Sequence, residues 1–423
     1  MSSDQCPKTN QVKSKSTTPK KSLFRRINEW LHLWLGLLSG IVVFVVCFTA
    51  AIWVLRDEIA YFTKPFNRIQ PQEAPYISPS MLKTQAEKYL DSTLNGKSFA
   101  VEDITYREPG KTTTLTYSGG VEEEWLGDLH INPYTGEMVY DEVFKESNTL
   151  KFFIFIRAGH RFFWLPQQIG STVVGTSCLI FLIILITGLI WWYPSKWTKS
   201  TRKKSFSVKW KAKWKRLNID LHNVLGFYAM LFIFLLTFTG VYYSFQWFRN
   251  SYAYALGVDV EKTEKGSITN NTNDTISVVV NPVDKLWRRH YHQQSNGDFT
   301  ISFPADSISS ISVTRNPLPG KFYKRYTQHF NQKTLALMDA KGIRNLEFGQ
   351  LTVGEKIVRM NFDLHVGSIG GLPTKILACI ASLIGASLPI TGFIIWYNRK
   401  WGKKKKKRKS TPSIKEVYAV ENF

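Results

Sequence analysis

Eight histidines occur in the 423 residues, and four of them stand at matching places in two halves of the chain. Leu31-His32-Leu33-Trp34-Leu35-Gly36 is answered by Leu221-His222-Asn223-Val224-Leu225-Gly226, and sixteen residues after each histidine comes Phe-Thr, at Phe48-Thr49 and Phe238-Thr239. His160 precedes Leu165-Pro166 as His365 precedes Leu372-Pro373. Neutral imidazole nitrogen is a common axial ligand of haem iron, and a helix bundle can offer one histidine from each of two helices. Pairing His32 with His222, and His160 with His365, makes two bis-histidine sites for two b-type haems. Gly36 and Gly226 follow their histidines by four residues on the same helix face, where a missing side chain admits a flat macrocycle. Close packing of helices by small residues is the alternative account of these glycines, and of Thr187-Gly188 and Thr391-Gly392. His130, His290, His292 and His329 have no counterparts and are assigned no role.

The elements that must carry these residues are four uncharged stretches, 31–55, 162–195, 221–248 and 376–398. Each is long enough to cross a hydrocarbon core of about 30 Å as a helix. The net charge of +23 is concentrated: residues 1–29, 194–216 and 398–423 hold 27 of the 55 Lys and Arg against four Asp and Glu. Positive-inside bias places those segments in the cytoplasm and residues 56–161 and 249–375 on the opposite side. The basic run 403–409 then reads as a topology anchor touching anionic lipid, not as a nucleic-acid site. Trp30, Trp34, Trp191, Trp192, Trp396 and Tyr397 read as an interfacial aromatic belt. Histidines 32 and 222 fall near the cytoplasmic side, and 160 and 365 near the outer side.

The organisation expected is a basic tail (1–21), a first helix (22–62), an outer domain (63–155), a second helix (156–195), a basic linker (196–216), a third helix (217–249), a second outer domain (250–358), a fourth helix (359–399) and a basic tail (400–423). Helix 79–90 with strands near 111–117 and 129–140 makes the first outer domain a small α+β unit. Helix 283–293, strands near 299–303 and 310–315 and a strand-turn-strand at 325–338 make the second alike. The fold class is thus an α-helical integral membrane protein, internally duplicated, with two small α+β extracytoplasmic domains. Cys6, Cys47, Cys178 and Cys379 all lie outside those domains, which excludes disulfides there, and no CxxCH, GxGxxG, P-loop, HExxH or GxSxG occurs.

These motifs, with the turn Asn132-Pro133-Tyr134-Thr135-Gly136-Glu137, the segment Asp363-Leu364-His365-Val366-Gly367 and the helix ends Ile-Thr-Gly-x-Ile-x-Trp-Tyr, resemble the PepSY-associated transmembrane proteins of bacteria. That family includes iron-regulated inner-membrane ferric-siderophore reductases with two b haems, and the resemblance spans roughly residues 22 to 400. It implies an enzyme of the inner membrane, with cytoplasmic termini, that takes electrons from quinol or a cytoplasmic flavoprotein and reduces a ferric siderophore in the periplasm. Hard siderophore oxygens hold Fe(III) far better than Fe(II), so reduction releases iron. Arg288, Arg289, Lys321, Lys324 and Arg325 are the basic cluster expected to attract an anionic complex. A cofactor-free membrane protein whose PepSY-like domains bind a protein or peptide, and a siderophore or metal transport component, remain open alternatives. One geometric difficulty stands out: a continuous second helix puts His160 about 13 Å above the apolar core. Breaks near Pro166 and Pro373, folding both histidine segments back toward the membrane, are therefore expected.

Overall fold

The computed structural model describes residues 22–119, 125–144, 146–260, 281–291, 297–306, 308–340 and 342–402. The first expected tail, residues 403–423 of the second and His292 lie outside the described residues. The first half runs α1 (Leu23–Trp53), α2 (Arg56–Thr63), α3 (Pro79–Thr93), β1 (Phe99–Tyr106), β2 (Thr113–Gly119), β3 (Trp125–Ile131), β4 (Met138–Val143), α4 (Asn148–Phe162) and α5 (Gln167–Trp192). After α6 (Lys199–Phe206), the second half runs α7 (Trp214–Asp220), α8 (Gly226–Val241), α9 (Gln246–Ala255), α10 (Pro282–Tyr291), β5 (Asp298–Ser302), β6 (Ile311–Asn316), β7 (Tyr326–Phe330), α11 (Val353–His365) and α12 (Leu372–Lys400).

Among the described residues four helices are long and apolar enough to cross a membrane: α1, α5, the continuous span Trp214–Val241 formed by α7 and α8, and α12. Apolar runs of this length become helices because lipid offers no partner to the backbone, so its hydrogen bonds must close within the segment. α1 packs against α5 and α12, and α8 packs against the same two, which closes a ring of four.

Both expected breaks are present. The chain leaves α4 through Phe163 and Trp164, at φ 52° and 57°, and Pro166 caps α5. It leaves α11 through Gly367 at φ 71° and Gly371 at φ 73°, with Pro373 in the first turn of α12. Proline lacks an N–H, so it starts a helix more readily than it continues one. The single helices expected over 156–195 and 359–399 are thus helix pairs. α4 lies against α1 and α5, and α11 lies against α8, so each carries its terminal histidine back into the bundle.

The two loops do not form two separate domains. Their strands join in one seven-stranded antiparallel sheet, ordered β4-β3-β2-β1-β5-β6-β7, in which β1 of the first loop pairs with β5 of the second. One apolar core runs beneath both parts, with Leu82 and Leu90 of α3, Leu286 and Trp287 of α10, and Ile104 and Ile301 across the joint. Asp284 of α10 caps the start of α3, accepting from the Ser80 amide at 2.9 Å. The joining strand β1 carries Glu102 and Asp103, and a bulge between Val101 and Asp103 interrupts its alternation, which hid it from pattern reading. Of the strand-turn-strand expected over 325–338, the first strand is β7 and the turn forms, while the second strand is reduced to a single bridge, Phe330 to Leu337.

The turn after β3 is held by Asn132, whose side chain accepts from the Tyr134 amide at 3.0 Å, with Gly136 at φ 76°. Asn331 builds a similar turn from Asn331-Gln332-Lys333-Thr334, accepting from Lys333 at 2.9 Å, with Leu335 at φ 58°. Both turns are Asx motifs that reverse the chain.

Candidate functional site: two opposed histidine pairs

His32 of α1 and His222, in a π-helical turn (Leu221–Leu225) between α7 and α8, face each other with ring centres 6.3 Å apart. His160 and His365, at the ends of α4 and α11, face each other at 6.0 Å. With each nitrogen about 1.1 Å from its ring centre and about 2.0 Å from a shared metal, two rings ligating from opposite sides stand about 6.2 Å apart. Both pairs meet that spacing.

The other nitrogen of every ring is engaged, which frees Nε2 for the gap. His160 Nδ1 lies 3.0 Å from the Val46 carbonyl and His365 Nδ1 lies 2.9 Å from that of Leu236. His222 Nδ1 meets Thr391 Oγ1 at 2.9 Å, and His32 Nδ1 meets the Ile184 carbonyl and Thr187 Oγ1, both at 3.2 Å. An Nδ1–H donated to an oxygen fixes the tautomer and orientation that metal-ligating histidine requires. No group of three or more His, Cys, Asp or Glu among the described residues is gathered to hold a bare ion. Each pair presents two imidazoles from different helices across one gap.

Val46 lies fourteen residues beyond His32 on α1, and Leu236 lies fourteen beyond His222. At about 1.5 Å per residue the two layers are about 21 Å apart along the bundle. The sheet-side pair thus lies within the helix ring, not 13 Å above it. A cavity of about 750 Å3 adjoins His160 and His365, and one of about 430 Å3 adjoins His32 and His222. Val43 and Phe181 line both, so one apolar layer separates them.

Gly36 and Gly226 both line the smaller cavity. A Cβ on Gly36 would meet nothing within 4 Å, whereas one on Gly226 would meet Leu388 at 3.3 Å. Three other glycines touch the imidazoles directly: a Cβ on Gly188, Gly392 or Gly240 would meet Cε1 of His32, His222 or His365 at 3.0, 3.3 and 2.9 Å. The Thr-Gly pairs expected to serve helix packing thus seat and orient histidines. Trp191, Trp192 and Trp396, assigned to the interfacial belt, also line the smaller cavity.

Pattern reading missed three asparagines. Asn28, Asn218 and Asn361 precede His32, His222 and His365 by four residues and donate to the carbonyls of Thr187, Thr391 and Thr239 at 2.9, 3.0 and 3.2 Å. Each ties a histidine helix to its neighbour one turn from the ring. The signal was present as Asn-x-x-x-His, repeated three times; Ile156 takes the place before His160. Of the expected basic cluster only Arg325 lines the larger cavity, while Arg288 and Arg289 are exposed on α10. His130, His290 and His329 belong to the sheet layer and line neither cavity.

A ring of four membrane-crossing helices with opposed histidine pairs at two depths and a sheet layer at one end defines a polytopic membrane protein with a two-tiered internal site. Residues 29–399 match the family described as PepSY-associated TM region, and the chain belongs to that family. No curated protein matches the chain.

Proposed function

We infer that the four histidines bind two b-type haems, and that the protein is an inner-membrane conduit delivering electrons from the cytoplasmic side to a ferric siderophore in the periplasm. The observation that carries this reading is the opposition of imidazoles at 6.3 and 6.0 Å with every Nδ1 already engaged. A bound haem supplies a one-electron Fe(III)/Fe(II) couple. His32 and His222 hold the group on the linker side, where Lys204 and Arg399 offer charge to propionates. His160 and His365 hold the other beneath the sheet. Val43 and Phe181 keep water out of the layer between. One electron converts one Fe(III) to Fe(II), so a two-electron donor, quinol or reduced flavin, serves two ferric ions.

Protein purified from haem-replete cells is expected to show a b-type reduced-minus-oxidised spectrum with two haems per chain. Alanine at His32 or His222 should remove one and alanine at His160 or His365 the other. The reduced protein should be reoxidised by a ferric siderophore, with Fe(II) caught by a ferrous chelator. A colourless protein that also takes up no added haem refutes the cofactor. Haems that stay reduced with every ferric chelate, yet pass electrons to another acceptor, refute the substrate.

A further inference from the structure

The larger cavity is lined by six arginines, Arg56, Arg157, Arg161, Arg325, Arg344 and Arg359, and by no aspartate or glutamate. Two have partners. Arg56 lies 3.4 Å from Asp57. Arg359 is buried and donates to the carbonyls of Ile343, Leu346 and Arg325, which pins the segments bearing Arg325 and Arg344 over the cavity. Arg157, Arg161, Arg325 and Arg344 make no ion pair with a carboxylate among the described residues.

Four like charges around one cavity repel each other unless something negative sits among them. The propionates of one haem can take two of the four in the bidentate geometry guanidinium favours, and the remainder still lacks a counter-charge. A cavity lined by apolar side chains and by one sign of charge concentrates anions. His160 and His365 line the same cavity, so an anion held by these arginines shares it with the sheet-side pair.

We propose that this cavity is the acceptor site, and that it selects iron(III) complexes of net negative charge, with carboxylate or catecholate oxygens contacted by Arg157, Arg161, Arg325 and Arg344, over neutral or cationic complexes. The assignment rests on the conduit reading, yet its binding half can be tested without electron transfer. Gallium(III) replaces iron(III) in such complexes and is not reduced. Anionic gallium citrate and a gallium tris-catecholate are expected to bind the full-length protein at least about tenfold more tightly than a neutral gallium trihydroxamate, with the preference shrinking as salt rises. Arg157→Gln and Arg344→Gln, both at exposed positions, should each weaken the anionic complexes about tenfold and leave the trihydroxamate unchanged, while Arg→Lys keeps part of the affinity.

The same measurement on the His365→Ala protein separates the two readings. Anion binding that survives in a variant without sheet-side haem supports the site even if reductase activity fails. Equal affinity for anionic and neutral complexes, or Gln variants that bind like the parent, overturns it. Displacement of the gallium complexes by phosphatidylglycerol in nanodiscs, but not by excess citrate, assigns the arginines to a lipid headgroup and also overturns it.

Discussion

Thr391→Val tests the reasoning at a single atom. Thr391 Oγ1 donates to the Ser387 carbonyl at 2.8 Å and turns its lone pair to His222 Nδ1 at 2.9 Å. Valine keeps the shape and removes that acceptor. The Leu388 carbonyl remains as a partner of His222, so the loss falls at the low end of what a buried donor suffers, about 1 kcal/mol, and loss of such an outer contact lowers metal affinity by about 10-fold. The imidazole also becomes a weaker donor, which disfavours the ferric state, so the potential of the linker-side haem should rise by about 60 mV for each tenfold change. Thr187→Val should act alike, because His32 Nδ1 keeps the Ile184 carbonyl at 3.2 Å as His222 keeps that of Leu388. Haem titration and spectroelectrochemistry on both variants read these effects. The sheet-side haem, about 21 Å away along the bundle, should not change. Unaltered affinity and potential in Thr391→Val, or a change confined to the haem of His160 and His365, would refute the assignment of the threonine as a positioning residue.

The joint between the two loops makes a second prediction. Ile104 and Ile301 face each other across β1 and β5, both fully buried, so each alanine should destabilise the sheet layer by about 2–5 kcal/mol. Their effects should couple by about 0.5–3 kcal/mol, and simple additivity in thermal melts would show two independent domains instead of one core. A third concerns acid. Burial works against ionised Glu142, yet His130 and Lys64, the latter at 2.6 Å, outweigh it and hold the carboxyl near about 2 against an ordinary 4.5. A depressed pKa stabilises fully above 4.5 and is lost as pH falls toward 2. Since Glu142 also accepts from Ser147, the N-cap of α4, the protection of α4 amides relative to their intrinsic exchange rates should fall across that window. Glu142→Gln should remove the pH dependence of that protection, and an unchanged protection profile would count against the junction.

The spans, the charge asymmetry and the four paired histidines were legible in the sequence because they depend on local pattern: apolar length, basic flanks and the spacing of a recurring Leu-His-x-x-Leu-Gly. The breaks before α5 and α12 were legible for the same reason, since proline acts on its own backbone. What the histidines bond to was not. The partners of His32 and His160 lie 152 and 114 residues away, at Ile184 and Val46. The asparagines illustrate the limit, for their spacing is local but its meaning appears only when Thr187, Thr391 and Thr239 arrive from other helices. The single sheet was equally hidden, because β1 and β5 come from different loops and β1 carries two acids and a bulge. The arginines of the larger cavity come from α2, α4, α11 and the segments around β7, and no stretch of sequence holds them as a cluster. Local patterning decides which segments enter the membrane and which side chains are able to ligate. The meeting of those side chains is decided by packing between distant segments, because hydrogen bonds and charges act through space over a few ångströms, whatever the distance along the chain.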